Sequence, residues 1–251
     1  MGAPVKQRVI DFALLLIGLL AVWQSVSLIA GASAVTAPAD TLGYAVGLLR
    51  TEDFWRHAAA SGHVLALASI IAMLGGLVLG LLLGLNRLAG DVADPMLLTM
   101  FSIPKITLYP IVLLIFGLGL SAKVAFGVMH GIFPVAIFAL NGIRNINPIY
   151  LRAARSLNLT PANTALTVLL PAALPEIVTG LRVGFAATIL GTLIGEMFAS
   201  TKGLGFLLVR SLDNNDVAQT LSLALFLFVL AGLANAILLA LEKRLHRSAA
   251  P

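Results

Sequence analysis

Apolar residues along this chain gather into uncharged or nearly uncharged runs at 12–30, 64–85, 107–120, 124–143, 182–198 and 217–241. A bilayer core of about 30 Å takes roughly 20 apolar helical residues, and a backbone in lipid must satisfy its own hydrogen bonds, so runs of this length predict spanning helices rather than open sheet. The pattern predicts an all-α, polytopic membrane protein with six spans. The third and fifth runs are short. The third is predicted to begin near Pro95 and to be bent or broken by Pro104 and Pro110, its freed carbonyls covered by neighbouring helices or water. The fifth is predicted to begin near Glu176. The first run is too long for a secretory signal and has no small-residue cleavage site directly after it, so it is read as a retained span.

Two polar intervals stand out. At 38–63, Leu48, Leu49, Phe54 and Trp55 recur at helix-like spacing; the interval reads either as an interfacial helix or as a connector anchored by its tryptophan. At 147–171, between the fourth and fifth spans, the signals spell a basic helix-turn-helix. Asn147-Pro148 is an N-cap followed by proline at the first helical position, where a missing N–H costs nothing. A short helix then runs to about Leu157. Asn158 tolerates the left-handed conformation that ends many helices, and Thr160-Pro161 repeats the start signal for a second short helix that stops near Pro171.

Gly76, Gly80 and Gly84 fall on one face of the second span, and Gly180 with Gly184 and Gly191 with Gly195 repeat the spacing in the fifth. Such stripes let another helix approach closely, either within one subunit or across a dimer. No repeat, low-complexity tract or extended linker interrupts the chain, which reads as one domain over 1–251.

Composition sharpens this picture. Apolar residues make up 59%, charged residues 11%, and mean hydropathy is +1.01, against about a quarter charged in soluble domains. The net charge of +5 follows topology rather than a nucleic-acid surface, since no basic face is interleaved with exposed aromatics. With an inside N-terminus, ten cations fall inside (Lys6, Arg8, Arg87, Arg144, Arg152, Arg155, Arg182, Lys243, Arg244, Arg247) and five outside (Arg50, Arg56, Lys123, Lys202, Arg210), Lys105 being ambiguous. That bias predicts both termini and 147–171 to be cytoplasmic.

Catalytic chemistry is sparse. There is no cysteine, and His57, His63, His130 and His246 lack metal-ligand spacing. Gly203-Leu204-Gly205 has neither the preceding strand nor the third glycine of a dinucleotide fingerprint, and no glycine-rich stretch ends in Lys-Ser or Lys-Thr. No nucleotide site is expected. Polar groups in spans are costly and often face a pathway. Four are candidates: Lys105, drawing anions or snorkelling to headgroups; His130, lining the path or bonded to a neighbouring helix; Asn141, read as structural; and Glu196, an outer gate or an interfacial salt bridge. Asn235 is read as an interhelical hydrogen bond.

The 147–171 element resembles the cytoplasmic signature of ABC importer membrane subunits: Glu-Ala-Ala, three residues, Gly, nine residues, Ile, any residue, Leu-Pro. Here the frame reads Arg152-Ala153-Ala154, Asn158, Val168 and Leu170-Pro171, with spacing kept and Arg, Asn and Val replacing Glu, Gly and Ile. Ile103-Pro104-Lys105, Phe116-Gly117-Leu118-Gly119, Pro171-Ala172-Ala173-Leu174-Pro175, Glu196-Met197 and Gly203-Leu204-Gly205 extend the resemblance toward the nitrate, sulfonate and taurine branch. It implies a non-catalytic permease of the bacterial inner membrane, a homodimer served by a periplasmic or lipid-anchored binding protein. Two cytoplasmic ATPase subunits would hold ATP and Mg and grip Arg152, Ala153, Ala154, Ser156, Asn158, Val168, Leu170 and Pro171, the alanines permitting close approach. The expected cargo is a small anion, with a heterocyclic vitamin precursor as the alternative. The competing classes are a passive channel or scaffold and an intramembrane enzyme, which would need His130 and Glu196 to meet.

Overall fold

Long apolar runs with few breakers give long helices, and in the computed structural model every regular element among the described residues, 5–198 and 200–249, is helical. The side chains of Lys6, Arg8, Arg244, His246 and Arg247 lie outside the described residues. The helices are α1 (Val5–Ala30), α2 (Pro38–Leu48), α3 (Glu52–Leu85), α4 (Arg87–Ser102), α5 (Tyr109–Phe116), α6 (Leu120–Arg144), α7 (Pro148–Ser156), α8 (Pro161–Thr164), α9 (Leu170–Phe198), α10 (Leu204–Asp213) and α11 (Val217–Ala249). Five of them are long and apolar enough to cross a membrane, and α4 with the segment Lys105–Phe116 makes a sixth, bent by 84°.

Three predicted boundaries move. The second span does not begin at Val64: α3 starts at Glu52, behind a Thr51 cap that accepts from the Phe54 N–H. Its 34 residues reach about 51 Å, more than a bilayer core, so the helix runs on past the apolar run 64–85. The 38–63 interval is thereby split between α2 and the start of α3. The third span begins at Arg87 rather than near Pro95, because Asn86 caps α4 by accepting from the Ala89 N–H and Pro95 is carried inside the helix. The fifth is already helical well before Glu176.

α3, α6 and α9 form the centre, packed backbone to backbone along small residues. A Cβ on Gly76 would lie 2.7 Å from the Ile132 carbonyl and from Val135, and one on Gly84 would lie 3.0 Å from Ile143. The stripe on α3 therefore faces α6 of the same chain. α6 meets α9 in the same way, since a Cβ on Gly131 would fall 2.9 Å from the Gly184 carbonyl, and Gly191 makes room for the His130 ring. Leu204 and Leu207 of α10, Phe54 of α3 and Leu223 of α11 close a second cluster at one end. α1 packs on α2, tied by Trp23 donating to the Thr36 carbonyl at 3.1 Å and Ser27 donating to the Val35 carbonyl at 2.8 Å.

Candidate functional site

The 147–171 element is built from local chemistry. The Asn147 side chain accepts from the Ile149 N–H at 3.0 Å with Pro148 opening α7. At the other end Asn158 takes φ +49°. Its N–H donates to the Arg155 carbonyl at 3.0 Å, and the Leu159 N–H donates to the Ala154 carbonyl at 3.1 Å. This pair is the Schellman closure, and asparagine serves where glycine is usual. Thr160 then caps the next turn, accepting from the Asn163 N–H at 3.3 Å.

The second helix does not stop near Pro171. Ala165–Leu169 is one wide π-helical stretch, with the Leu170 N–H bonded five residues back to the Ala165 carbonyl, and α9 continues through Pro171 to Phe198. The wider turn takes up the proline, whose ring would crowd the carbonyl four residues back in a regular α-helix. Leu169 and Leu170, with Ile146, pack on Ala139, Ile143, Ala173 and Ile177. The element is thus rooted in the core and continuous with α9.

The two alanines part company. Ala153 is exposed, beside exposed Tyr150, Arg152, Arg155 and Ser156. Ala154 is only 2% exposed, so its small side chain serves contact with its own chain and is not available to a partner. Asn158 and Pro171 are exposed, and Val168 and Leu170 are half-buried.

The break between α4 and α5 is covered from inside. Lys105 is 7% exposed. Its ammonium donates to the Phe101 carbonyl at 2.7 Å, within 5.0 Å of the Phe101 ring centre and 5.6 Å of that of Phe133. The lysine satisfies one of the carbonyls left unpaired where α4 ends at Ser102, between two aromatic faces. Lys105→Met is expected to lower the thermal midpoint of the detergent-purified protein, because an orphaned buried carbonyl costs about 1–3 kcal/mol. An unchanged midpoint would show that water replaces the ammonium.

His130 and Glu196 do not pair with each other. The His130 Nδ1 sits 2.9 Å from the Phe126 carbonyl on its own helix, whereas Glu196, fully buried, accepts at Oε2 from Ser61 at 2.7 Å and from the Gly205 N–H at 3.0 Å. Asn141 donates to Asp94 at 3.4 Å and Arg144 pairs with Asp91, fastening α6 to α4. Asn235 accepts from Arg182 at 3.3 Å, and Arg182 meets Glu242 at 2.7 Å, joining α9 to α11.

The surroundings of Glu196 escaped sequence reading. Gly203 sits at φ +124°, and a Cβ there would lie 2.5 Å from both carboxylate oxygens. The Gly203 N–H donates to His57 Nδ1 at 3.0 Å, and the Leu204 N–H donates to Ser61 Oγ at 2.7 Å. Nothing local in Gly203-Leu204-Gly205 ties this turn to His57 and Ser61, more than a hundred residues earlier. Tyr109, which donates to the Gly195 carbonyl at 2.8 Å, was missed for the same reason.

A bent span beside a helix-turn-helix rooted in a three-helix core is an arrangement with known relatives. Residues 76–249 match the sequence profile of the family described as binding-protein-dependent transport system inner membrane component. The chain belongs to this family. The permease is 29% identical over 235 residues to a probable ABC transporter permease protein of Haemophilus influenzae, covering 93% of this chain and 95% of the relative. It is 32% identical over 191 residues to the taurine transport system permease protein TauC of Escherichia coli, covering 76% and 70%. Its fold is shared with a chain of the MetNI methionine ABC transporter in an inward-facing structure, at TM-score 0.64 and 20% identity, covering 74% of this permease and 92% of that chain. It is a multi-pass membrane component of an ABC importer.

Proposed function

We propose that this permease forms half of the pathway of an ATP-driven importer for a small anion, paired with a second copy and coupled through 147–171 to a separate cytoplasmic ATPase. The observation that carries the reading is the division of labour in the element. Its inner side is locked into the core and runs straight into α9, while α7 presents Tyr150, Arg152, Ala153, Arg155 and Ser156 outward. A pull on α7 therefore acts on α9 along its length. The bent segment supports placing the pathway beside α4 and α5, because irregular backbone at membrane depth belongs against protein or water rather than lipid. Relatives named for taurine, aliphatic sulfonates and nitrate support an anionic cargo, with a formylaminopyrimidine permease marking the alternative.

On this reading ATP closes the ATPase dimer, the two 147–171 elements approach, and α9 tilts so that the pathway opens toward the binding protein; hydrolysis resets it. Binding energy is converted into a population shift, and the permease needs no catalytic residue. Because the chain has no cysteine, a single one placed at Ser156 tests the coupling with its genomic ATPase neighbour. Crosslinking that changes with ATP is the expected result; its absence from a correctly inserted chain would favour a channel or scaffold.

A further inference from the structure

His57 is a buried titratable side chain that the coupling reading leaves unused. It is 5% exposed and lies on α3 at the end opposite 147–171, stacked on Phe206 of α10 at 5.7 Å between ring centres. Its Nδ1 accepts the Gly203 N–H at 3.0 Å. An imidazole accepts at Nδ1 only when that nitrogen carries no proton, so this bond fixes the neutral ring with its proton on Nε2. The same turn supplies the N–H groups of Leu204 and Gly205 to Ser61 and Glu196. Three successive amides of one turn thus hold the far end of α9 against α3, and His57 takes the first.

We propose that His57 is the positioning residue of a proton-sensitive latch at the outer end of the permease: neutral, it holds the Gly203 turn closed over Glu196, and protonated it lets the turn go. Protonation turns Nδ1 from acceptor to donor and sets it against the Gly203 N–H. An alternative acceptor lies beside the turn. Glu196 Oε1 is buried with no hydrogen-bond partner among the described residues, and the carboxylate packs on the Gly203 Cα. The charges facing His57 are Asp53, with Oδ2 at 3.8 Å from Nε2, and Arg56 on its own helix; Arg210 from α10; and, across the turn, Glu196 of α9. Asp53 receives an imidazolium, while Arg56 and Arg210 oppose it. Ser200 and Lys123 brace the turn's other flank at 3.0 Å, which leaves the histidine side as the one that titration opens. That this end is the outer one follows from a cytoplasmic 147–171 element, on which the latch chemistry does not depend.

Hydrogen exchange of 200–206 in the detergent-purified chain, corrected for the intrinsic pH dependence of exchange, tests this. Wild type is expected to lose about tenfold in protection between about pH 8 and about pH 5.5, on either side of the ordinary imidazole range. His57→Asn, which offers an acceptor that does not titrate, is expected to keep its protection across that range. His57→Ala is expected to be low throughout. A flat wild-type profile, or an equal loss in His57→Asn, would overturn the latch. If His57→Asn fails to fold, His57→Ala decides, because a pH dependence that survives without the imidazole would come from Glu196, the other titratable side chain bonded to the turn, and would overturn the latch. Exchange is read without ATPase or cargo, so a failed latch and a failed importer reading are separate outcomes.

Discussion

Ala153→Glu is expected to strip the permease of its ATPase and bring ATP-dependent uptake down to background, about a hundredfold or more, while the chain inserts and folds as before. Ala153 lies on the exposed side of α7, between Arg152 and Arg155, where a surface substitution changes the chain's own stability by no more than about 0.5 kcal/mol. Against a fitted partner the same change adds bulk and a carboxylate to the middle of the contact, and one desolvated, unpaired charge costs several kcal/mol of association. Copurification with the ATPase and ATP hydrolysis in proteoliposomes read the loss, and the thermal midpoint of the permease alone serves as the control. Position 154 gives a different result. Ala154→Glu forces a carboxylate into the inner contact of the turn, so the midpoint itself should fall and any loss of coupling follows from misfolding. If Ala153→Glu copurifies like wild type, the grip lies elsewhere on the element.

Those neighbouring alanines show where sequence reading stops. The frame Arg152 to Pro171 and its caps are local chemistry, and Asn147, Asn158 and Thr160 occupy the roles their side chains predict. Which alanine faces inward depends on how α7 lies on the π stretch Ala165–Leu169, which is tertiary. Pro171 was misread because propensity assigns proline a stop, whereas a π turn a few residues earlier lets the helix pass through it. Spans were legible by length, but hydropathy cut α3 short at Val64: its first turns carry Glu52, Asp53, Arg56 and His57, polar residues that are helical yet interrupt the apolar run. Pro104 announced a break, and its 84° angle with an inward-turned Lys105 had no spelling in the chain. The contacts of Glu196 join residues 135 apart, beyond any periodicity.

Gly80→Leu is expected to prevent a stable permease from accumulating at all. A glycine stripe identifies a face without naming its partner; here the partner is α6. A Cβ at Gly80 would meet the Ala139 Cβ at 2.7 Å and press on the Ala136 backbone carbonyl. Neither neighbour is a side chain that can rotate away, and Ala136 and Ala139 are themselves fully buried. The helices must therefore separate along the whole α3 and α6 seam. Overpacking a core commonly costs about 1–3 kcal/mol, and a clash against backbone falls at or above the top of that range, a large share of a marginal stability. Chromatography of the detergent extract should show loss of the monodisperse peak. Gly62→Leu, on the same helix where an added Cβ meets nothing within 4 Å, should behave as wild type. If both variants remain monodisperse with unchanged thermal midpoints, α3 and α6 are not in backbone contact and the three-helix centre is wrong. Loss at Gly80 alone fixes the seam within the chain, where it joins α9 through α6 to the helix that holds Ser61.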